Sequence, residues 1–364
     1  MTSRSVAARQ SAVAVVFGLA VAGTVIAGSY RQASRLAADK SVGIEAYTHP
    51  YDGVHRTLPI MMARGDGQAY ATVAQDPELR RPQAWFSGSH QEALWAHRPL
   101  LPYLSALGGV GGRSGVEWVQ LVIVLLSGGL VAAGASALCL SWRLPGLIGA
   151  AAALLPGALD SFWYLTVDPL AVGLVLIGYW CWWEQRRLAA VVLFSLAALG
   201  RETMLVVPAV VALEELLRRR PGRALLVGGV PGLVWLASSV AVNLRLGLRP
   251  LASGSSGDLV APFTGLVHGA ARWHHWFEPA VLASLILAIA LVVVLRPRDA
   301  VNWAVMAYGA VALLLGTNIW AYWGNVARVL LPLHILALLA LGRAVGERGS
   351  GTLVPTPFAA GRAT

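Results

Sequence analysis

The feature that most limits the fold is a series of apolar runs, each close to the length of a bilayer crossing, separated by short segments that carry arginine. A helix needs roughly 20 apolar residues to cross the hydrocarbon core of a membrane. A water-soluble core would instead require a polar face along each run, and few such faces occur. Because 57% of the 364 residues are hydrophobic and only 13% are charged, the runs predict an all-α polytopic membrane protein.

About ten transmembrane helices are predicted. The first has the composition of either a cleaved signal peptide or a retained helix, since it follows Arg4 and Arg9 and ends in small residues. We interpret it as a retained helix, because the remaining spans then have a consistent topology. The predicted spans are residues 11–29, 118–140, 145–163, 168–183, 187–200, 203–217, 224–244, 279–296, 300–317 and 327–345.

Arginine collects at every second connection between these spans. Cytoplasmic loops retain arginine and lysine, so these connections and both termini are predicted to be cytoplasmic, in a protein of the cytoplasmic membrane. The basic connections are Arg143, residues 184–187, 218–223 and 296–299, and Arg343 with Arg348. On the other face, the extracytoplasmic one, a long first loop covers 30–116 and a second outer loop covers 247–278. Residues 1–348 are predicted to form one transmembrane domain, and 349–364 a disordered cytoplasmic tail.

Composition also argues against several kinds of site. The net charge of +10 does not indicate nucleic-acid binding, because no basic stripe is interleaved with aromatic residues. Cys139 and Cys181 fall inside apolar runs and are predicted to be core residues rather than a disulfide or metal pair. His274 and His275 are adjacent, so on a helix they point apart and cannot form a ligand pair. No cofactor and no dedicated metal site is predicted, although a divalent cation held jointly with a donor phosphate stays open.

The hexapeptide GDGQAY (65–70) places an acid between two glycines in the predicted first outer loop. The residues that follow have helical composition, so one simple interpretation makes Asp66 a helix cap whose side chain accepts backbone N–H bonds. The wider pattern, GDGQAYATVAQDP followed by HRPLLPYL, is more specific than a glycine-flanked acid alone.

This pattern resembles a group of bacterial polytopic proteins of cell-surface glycopolymer formation. Those proteins are in turn similar to the type-C (GT-C) glycosyltransferases, which use polyprenyl-phosphate sugars. Two further stretches fit the resemblance: residues 166–208, with Arg-Glu-Thr after a helix, and 326–342, with an arginine before a proline-containing last span. The sequence departs from the pattern at Ala69, where an aromatic residue is expected, and in the distance of roughly 36 residues from the first span to GDGQ.

The resemblance implies a GT-C-like fold in which Asp66 is the catalytic base for the acceptor hydroxyl. Gln68 would bind hydroxyl groups, and arginines would bind the lipid phosphate, since planar guanidinium groups recognise phosphate with paired hydrogen bonds. The implied partners are a polyprenyl-phosphate-linked sugar, a cell-envelope glycan or lipid acceptor, and membrane lipids. The implied substrate-binding residues are Gln68, Tyr70, Asp76, Arg98, Asp168, Arg201, Glu202 and Arg328.

Simpler roles stay open for these residues. Arg328 could extend to the membrane interface, and Asp168 and Asp76, each before a proline, could begin helices. Arg201 has Glu202 beside it as a pairing partner, while Arg98 has Glu92 or Asp76.

Two other classes of protein also stay open: a transporter or flippase of lipid-linked sugars, and a non-catalytic assembly partner with the same fold. Transporters usually place ionisable residues near mid-membrane, whereas here these residues gather at the ends of the spans. The tryptophans of 272–277 and 319–323 fit an aromatic belt at the outer interface, or stacking on sugar rings.

Overall fold

The computed structural model describes residues 3–38, 57–63, 65–80, 95–250, 259–295 and 299–350. Within these residues the regular elements are helices, apart from one isolated antiparallel bridge between Leu259 and Leu315. The first helices are α1 (Ser3–Ala38), α2 (Thr57–Ala63), α3 (Gly67–Gln75), α4 (Leu100–Ser105), α5 (Gly112–Ser141), α6 (Gly146–Ala150), α7 (Pro156–Tyr164), α8 (Asp168–Trp183) and α9 (Arg187–Gly200). The later helices are α10 (Val206–Leu217), α11 (Pro221–Ala224), α12 (Val230–Arg245), α13 (Thr264–Ala270), α14 (Phe277–Leu295), α15 (Ala300–Leu314), α16 (Thr317–Trp320), α17 (Trp323–Val329) and α18 (Leu331–Ser350).

The described residues contain the helices of a multi-pass membrane protein. Four helical segments are long and apolar enough to cross a bilayer: Val6–Ala38, Leu100–Ser141, Pro221–Arg245 and Phe277–Leu295. Two bent pairs raise the number to six if each pair is one span: Gly146–Leu154 with α7, bent by 53°, and α17 with α18, bent by 60°. Helices α9 and α15 are apolar but shorter, so length and composition support four to six spans among the described residues, and the ten predicted spans are not confirmed.

Helices α1 and α5 pack through small residues. Gly18 and Ala22 lie one turn apart on α1, and Gly128 and Ala132 lie one turn apart on α5. A Cβ atom on Gly18 would lie 2.3 Å from the carbonyl oxygen of Gly128, and one on Gly128 would lie 2.6 Å from the Cβ of Ala22. Small residues at this spacing let two backbones approach closely, which is a main source of helix association in lipid.

Two glycines bring α7 against α17. A Cβ atom on Gly157 would lie 2.1 Å from the carbonyl oxygen of Ala327, and one on Gly324 would lie 2.6 Å from both carboxylate oxygens of Asp160. The helix ends at Val329 and restarts with Pro332 in the first turn of α18, because proline has no N–H to continue the ladder. The predicted continuous span over 327–345 is therefore broken, next to the crossing with α7.

A group of charged side chains lies at the end of the bundle where α8 ends, opposite the end at which α8 begins with Asp168. Arg343 on α18 pairs with Asp299, which caps α15 by accepting the Asn302 N–H at 3.3 Å. Arg218, directly after α10, pairs with Glu214 on that helix at 2.6 Å. Helix α8 runs between the two ends, and its 16 residues cover roughly 24 Å, somewhat less than the thickness of a typical hydrocarbon core. The arginine-bearing connections that were predicted to be cytoplasmic and are described lie at this end.

Two helices extend into segments that were predicted to be a loop and a tail. Helix α1 continues to Ala38, beyond residue 30 where the first outer loop was predicted to begin, and α18 continues through the first two residues of the predicted tail. Large parts of the predicted loops and tail lie outside the described residues: 39–56, 81–94, 251–258, 296–298 and 351–364.

Candidate functional site

The GDG sequence forms a tight turn packed against the end of α7. A Cβ atom on Gly65 would lie 2.7 Å from the Tyr164 Cβ, and one on Gly67 would lie 2.7 Å from the Tyr164 carbonyl oxygen. From α5, the side-chain amide of Gln120 donates hydrogen bonds to the carbonyl oxygens of Gly67 at 2.8 Å and Leu165 at 3.2 Å. The two glycines are thus required by close packing that fixes the position of the acid between them.

Asp66 precedes α3 but does not cap it. Its backbone is helical (φ −66°, ψ −12°), and its side chain accepts no capping hydrogen bond, so the interpretation of Asp66 as a helix cap is wrong. Instead, its Oδ2 lies 3.2 Å from Nη1 of Arg328, and the side chain is 30% exposed. Asp66 is therefore a carboxylate that solvent can reach, held by an arginine from the far end of the chain.

Arg328 lies at the break between α17 and α18, and three side chains contact its guanidinium group. Besides Asp66, Oδ2 of Asp160 on α7 lies 3.2 Å from Nε, and Oδ1 of Asn325 accepts a hydrogen bond from Nη2. Asp160 also accepts a hydrogen bond of 3.4 Å from the hydroxyl group of Tyr322. Arg328 is only 7% exposed, so its side chain is enclosed by protein groups, which argues against the alternative in which it extends to the membrane interface.

Arg201 follows α9 and pairs with Asp168, the first residue of α8. Both side chains are buried, and Asp168 also accepts a hydrogen bond of 2.8 Å from the Thr166 hydroxyl group. The interpretation in which Arg201 forms its ion pair with Glu202 is therefore wrong. Asp168 does begin a helix before a proline, as predicted, but its carboxylate also neutralises a buried guanidinium, and a buried charge requires such a partner.

Arg98 binds Glu202 with two hydrogen bonds. Its Nε donates to Oε2 at 3.1 Å and its Nη2 donates to Oε1 at 2.8 Å, the fork geometry that makes arginine–carboxylate pairs strong. Burial alone would raise the pKa of Glu202, but Arg98 outweighs burial and lowers that pKa to about 2. Of the partners predicted for Arg98, Asp76 accepts the backbone N–H of Arg80 at 3.0 Å, and Glu92 lies outside the described residues.

The electrostatic environment of Asp66 joins these pairs into one site. Burial acts to raise the pKa of Asp66, but Arg328, then Arg98 and Arg201, together with a hydrogen bond from Trp95, bring that pKa below its ordinary value of 3.8. The carboxyl group is therefore ionised at neutral pH. We call the site the Asp66 cluster; it consists of Asp66, Arg98, Asp160, Asp168, Arg201, Glu202 and Arg328, so four carboxylates face three guanidinium groups.

Polar groups without partners lie beside this cluster. Gln68 and Tyr70 are buried on the first turn of α3, and the amide nitrogen of Gln68 has no hydrogen-bond partner among the described residues. Nε of Arg201 has none either. Burial raises the pKa of Tyr70, so its hydroxyl group stays protonated next to Arg98. Because buried polar groups are nearly always hydrogen-bonded, these donors indicate a place for a polar ligand or water.

The structure brings all but one of the predicted site residues together in or beside the Asp66 cluster. The exception is Asp76, which ends α3 and so lies roughly 14 Å along the helix axis from Asp66. The residues brought together are Asp66, Gln68, Tyr70, Arg98, Asp168, Arg201, Glu202 and Arg328.

Sequence reasoning did not assign a role to Asp160, Tyr322, Asn325 or Trp95. One signal was present: Asp160 is an ionisable residue inside an apolar run, which by itself suggests a functional site in a membrane protein. The others had no comparable signal. Tyr322 and Asp160 are 162 residues apart, and their contact depends on how α7 and α17 cross.

Within the described ranges, no three His, Cys, Asp or Glu side chains are arranged to hold a metal ion. Cys139 and Cys181 are both buried and unbridged. No protein-family model matches the chain, and no curated protein sequence matches it either. The chemistry of the Asp66 cluster and the resemblance of the GDGQ pattern are therefore the two indications of function.

Proposed function

We propose that this protein is an integral membrane glycosyltransferase of the GT-C kind, which transfers a sugar from a polyprenyl-phosphate donor to a cell-envelope glycan or lipid acceptor. The reaction would take place at the extracytoplasmic face of the cytoplasmic membrane, in a bundle of about ten spans with both termini in the cytoplasm. The observation that carries the proposal is the ion pair between Asp66 and Arg328 within a cluster that also holds Arg98 and Arg201. A reachable carboxylate beside guanidinium groups supplies both a base and ligands for phosphate.

The chemistry of the transfer needs one base and a stabilised leaving group. The bond between the anomeric carbon and a phosphate oxygen breaks, and the phosphate leaves with the bonding electrons, so no strong acid is required. The acceptor hydroxyl oxygen forms the new bond from the opposite face, which inverts the anomeric carbon, and its proton passes to Asp66. A general base of this kind contributes typically ~10²–10⁴-fold to the rate.

The phosphate would share guanidinium groups that already have carboxylate partners. Within the part of the chain that the structure describes, Nε of Arg201 has no hydrogen-bond partner, and Arg328 presents Nη1 to the partly exposed Asp66. When phosphate binds Arg328, its negative charge offsets part of the positive charge that Asp66 experiences. The pKa of Asp66 then rises, and the carboxylate becomes a stronger base. Since carboxylates outnumber arginines here, a divalent cation that enters with the phosphate would balance the added negative charge. Gln68 and Tyr70 are then placed to bind sugar hydroxyl groups.

Replacement of Asp66 by asparagine tests the proposal most directly. The Asp66→Asn variant keeps the size of the side chain and removes the base, so we expect transfer to fall by about 10²–10⁴-fold. The measurement is radiolabelled sugar transfer from a synthetic polyprenyl-phosphate sugar in proteoliposomes, together with the envelope glycans of a deletion strain complemented with the variant. Glu184→Gln, an exposed site at the opposite end of the bundle, is the matched control and should transfer normally.

The same experiment distinguishes the non-catalytic assembly partner. If Asp66→Asn restores the glycans fully and is present in the membrane at the wild-type level, the base assignment is refuted. An assembly partner tolerates the substitution, because Asn still accepts a hydrogen bond from Arg328.

A transporter of lipid-linked sugars has one observation in its favour. Asp160 and Arg328 pair where two bent helix pairs meet, and transporters often build their sites at breaks in helices. A transporter would move a fluorescent polyprenyl-phosphate sugar across proteoliposomes without releasing polyprenyl phosphate. Release of polyprenyl phosphate that depends on an added acceptor would exclude this alternative.

A further inference from the structure

Four aromatic rings form a continuous row that ends at the Asp66 cluster. Trp276 and Phe277 lie at the start of α14, with ring centroids 4.0 Å apart, and Phe277 packs on Trp323 of α17 at 5.6 Å. Trp323 packs on Tyr322 at 5.6 Å. We call these four residues the aromatic row.

The row runs from solvent or lipid towards the candidate catalytic residues. Trp276 is 70% exposed and Phe277 is 43% exposed, whereas Tyr322 and Trp323 are partly buried. The hydroxyl group of Tyr322 contacts Asp160 at 3.4 Å, and Asp160 contacts Arg328, the partner of Asp66. The inner end of the row is thus separated from the proposed base by only two side chains.

Polar groups border the row, as recognition of the hydroxyl edge of a sugar requires. Asn325 lies on the same helix as Trp323 and also binds Arg328, and Asn318 is exposed on the preceding segment. His274 and His275 are exposed just before Trp276. By contrast, Trp118 on α5 and Trp303 on α15 are each 49% exposed and have no ring neighbour among the contacts recorded for the described residues.

We propose that the aromatic row is a saccharide subsite that binds the acceptor glycan and directs its terminal hydroxyl group to Asp66. The C–H face of a sugar ring packs on an aromatic face, while its hydroxyl edge requires hydrogen bonds. The exposed faces and edges of Trp276 and Phe277 provide the aromatic contact, and the neighbouring amide and imidazole groups provide hydrogen-bonding partners. This inference rests on the proposed transfer for its substrate class, but the subsite itself can be tested without turnover.

The test measures saccharide binding to the full chain in lipid nanodiscs, with no donor present. The probes are neutral gluco-, manno-, galacto- and arabino-oligosaccharides, observed by saturation-transfer difference NMR. We expect saturation of ring C–H protons in at least one oligosaccharide, and affinity about tenfold weaker in Trp276→Ala, because one stacked contact of about 1.4 kcal/mol is lost. Trp118→Ala is the matched control and should bind as the wild type does.

Two outcomes would overturn the subsite. One is that none of the four oligosaccharides binds. The other is that Trp276→Ala binds as tightly as Trp118→Ala; stronger quenching of tryptophan fluorescence by brominated lipid in the wild type than in Trp276→Ala would then show that the row belongs to a membrane belt. If a saccharide binds through Trp276 but no sugar transfer is found, the subsite stands and the proposed transferase activity fails. If transfer occurs, Trp276→Ala should raise the acceptor KM about tenfold and leave the donor KM unchanged.

Discussion

At the scale of single residues, Arg328 determines the chemical state of Asp66. Its guanidinium group contacts Asp66 on one edge and Asp160 on another, while Asn325 accepts from Nη2. With two further carboxylate–arginine pairs close by, Asp66 stays ionised although much of its surroundings is protein. The ionised carboxylate can accept a proton. Its strength as a base is set by its pKa, which depends most on the attraction of Arg328.

The pH dependence of transfer should therefore report on Arg328. In the wild type, the pKa of Asp66 lies below 3.8. We therefore expect kcat/KM to stay constant between about pH 5 and 7 and to fall only below about pH 4, where Asp66 becomes protonated. Arg328→Gln removes the largest attraction that stabilises the carboxylate, so the pKa of Asp66 rises and the acid limb moves to higher pH, with a lower plateau. Arg143→Gln at the opposite end should leave the profile unchanged. If kcat/KM of Arg328→Gln falls at the same pH as in the wild type, the assignment of Asp66 as the base controlled by Arg328 is contradicted.

The residue types of the site could be predicted from the sequence, whereas their pairing could not. Asp66, Arg98, Arg201 and Arg328 stand out because a charge near an apolar span needs a reason. The actual partners are far away along the chain: Arg98 and Glu202 are 104 residues apart, and Arg328 and Asp66 are 262 apart. Which carboxylate meets which arginine depends on helix packing, and hydropathy carries no information about it.

At the scale of helices, glycine contacts determine whether the site can assemble. Gly157 lets α7 lie against the carbonyl oxygen of Ala327, the residue before Arg328, and Asp160 follows Gly157 by about one turn. Proline explains the breaks that the sequence analysis treated as continuous spans. Pro156 and Pro332 were visible in the sequence, but apolar periodicity does not register a missing N–H, so the bends were not predicted.

A single added methyl group at Gly157 should therefore disturb the site. Gly157→Ala forces α7 away from α17, and overpacking of this kind costs typically ~1–3 kcal/mol. We expect a lower thermal unfolding midpoint in nanodiscs and loss of transfer through displacement of Arg328. Gly232 on α12 has no neighbouring atom within 4 Å of an added Cβ, so Gly232→Ala should be neutral or stabilising by up to ~1 kcal/mol. Equal midpoints and equal activity for the two variants would refute the role given to the α7–α17 contact.

At the scale of the whole molecule, two charged ends are separated by an apolar middle. The Asp66 cluster lies at one end of α8, and Trp183 at the other end packs on Trp142, which also faces Arg343. The apolar residues between the ends were sufficient to predict an all-helical membrane protein. The number of spans was not predictable to the same degree, because α9 and α15 are shorter than a typical crossing and would require local thinning of the bilayer.

Cysteine labelling in intact cells tests the sidedness on which the proposed transfer depends. Cys139 and Cys181 are 0% and 5% exposed, so the native chain should give little background with a membrane-impermeant maleimide. Gln75→Cys is exposed at the end of α3, in the same outer segment as Asp66, and should react in intact cells. Arg143→Cys is exposed at the opposite end and should react only after permeabilisation, because arginine-rich connections are retained in the cytoplasm. If both positions react from outside, or if only position 143 does, the Asp66 cluster does not face the compartment in which a polyprenyl-phosphate sugar would meet an envelope acceptor.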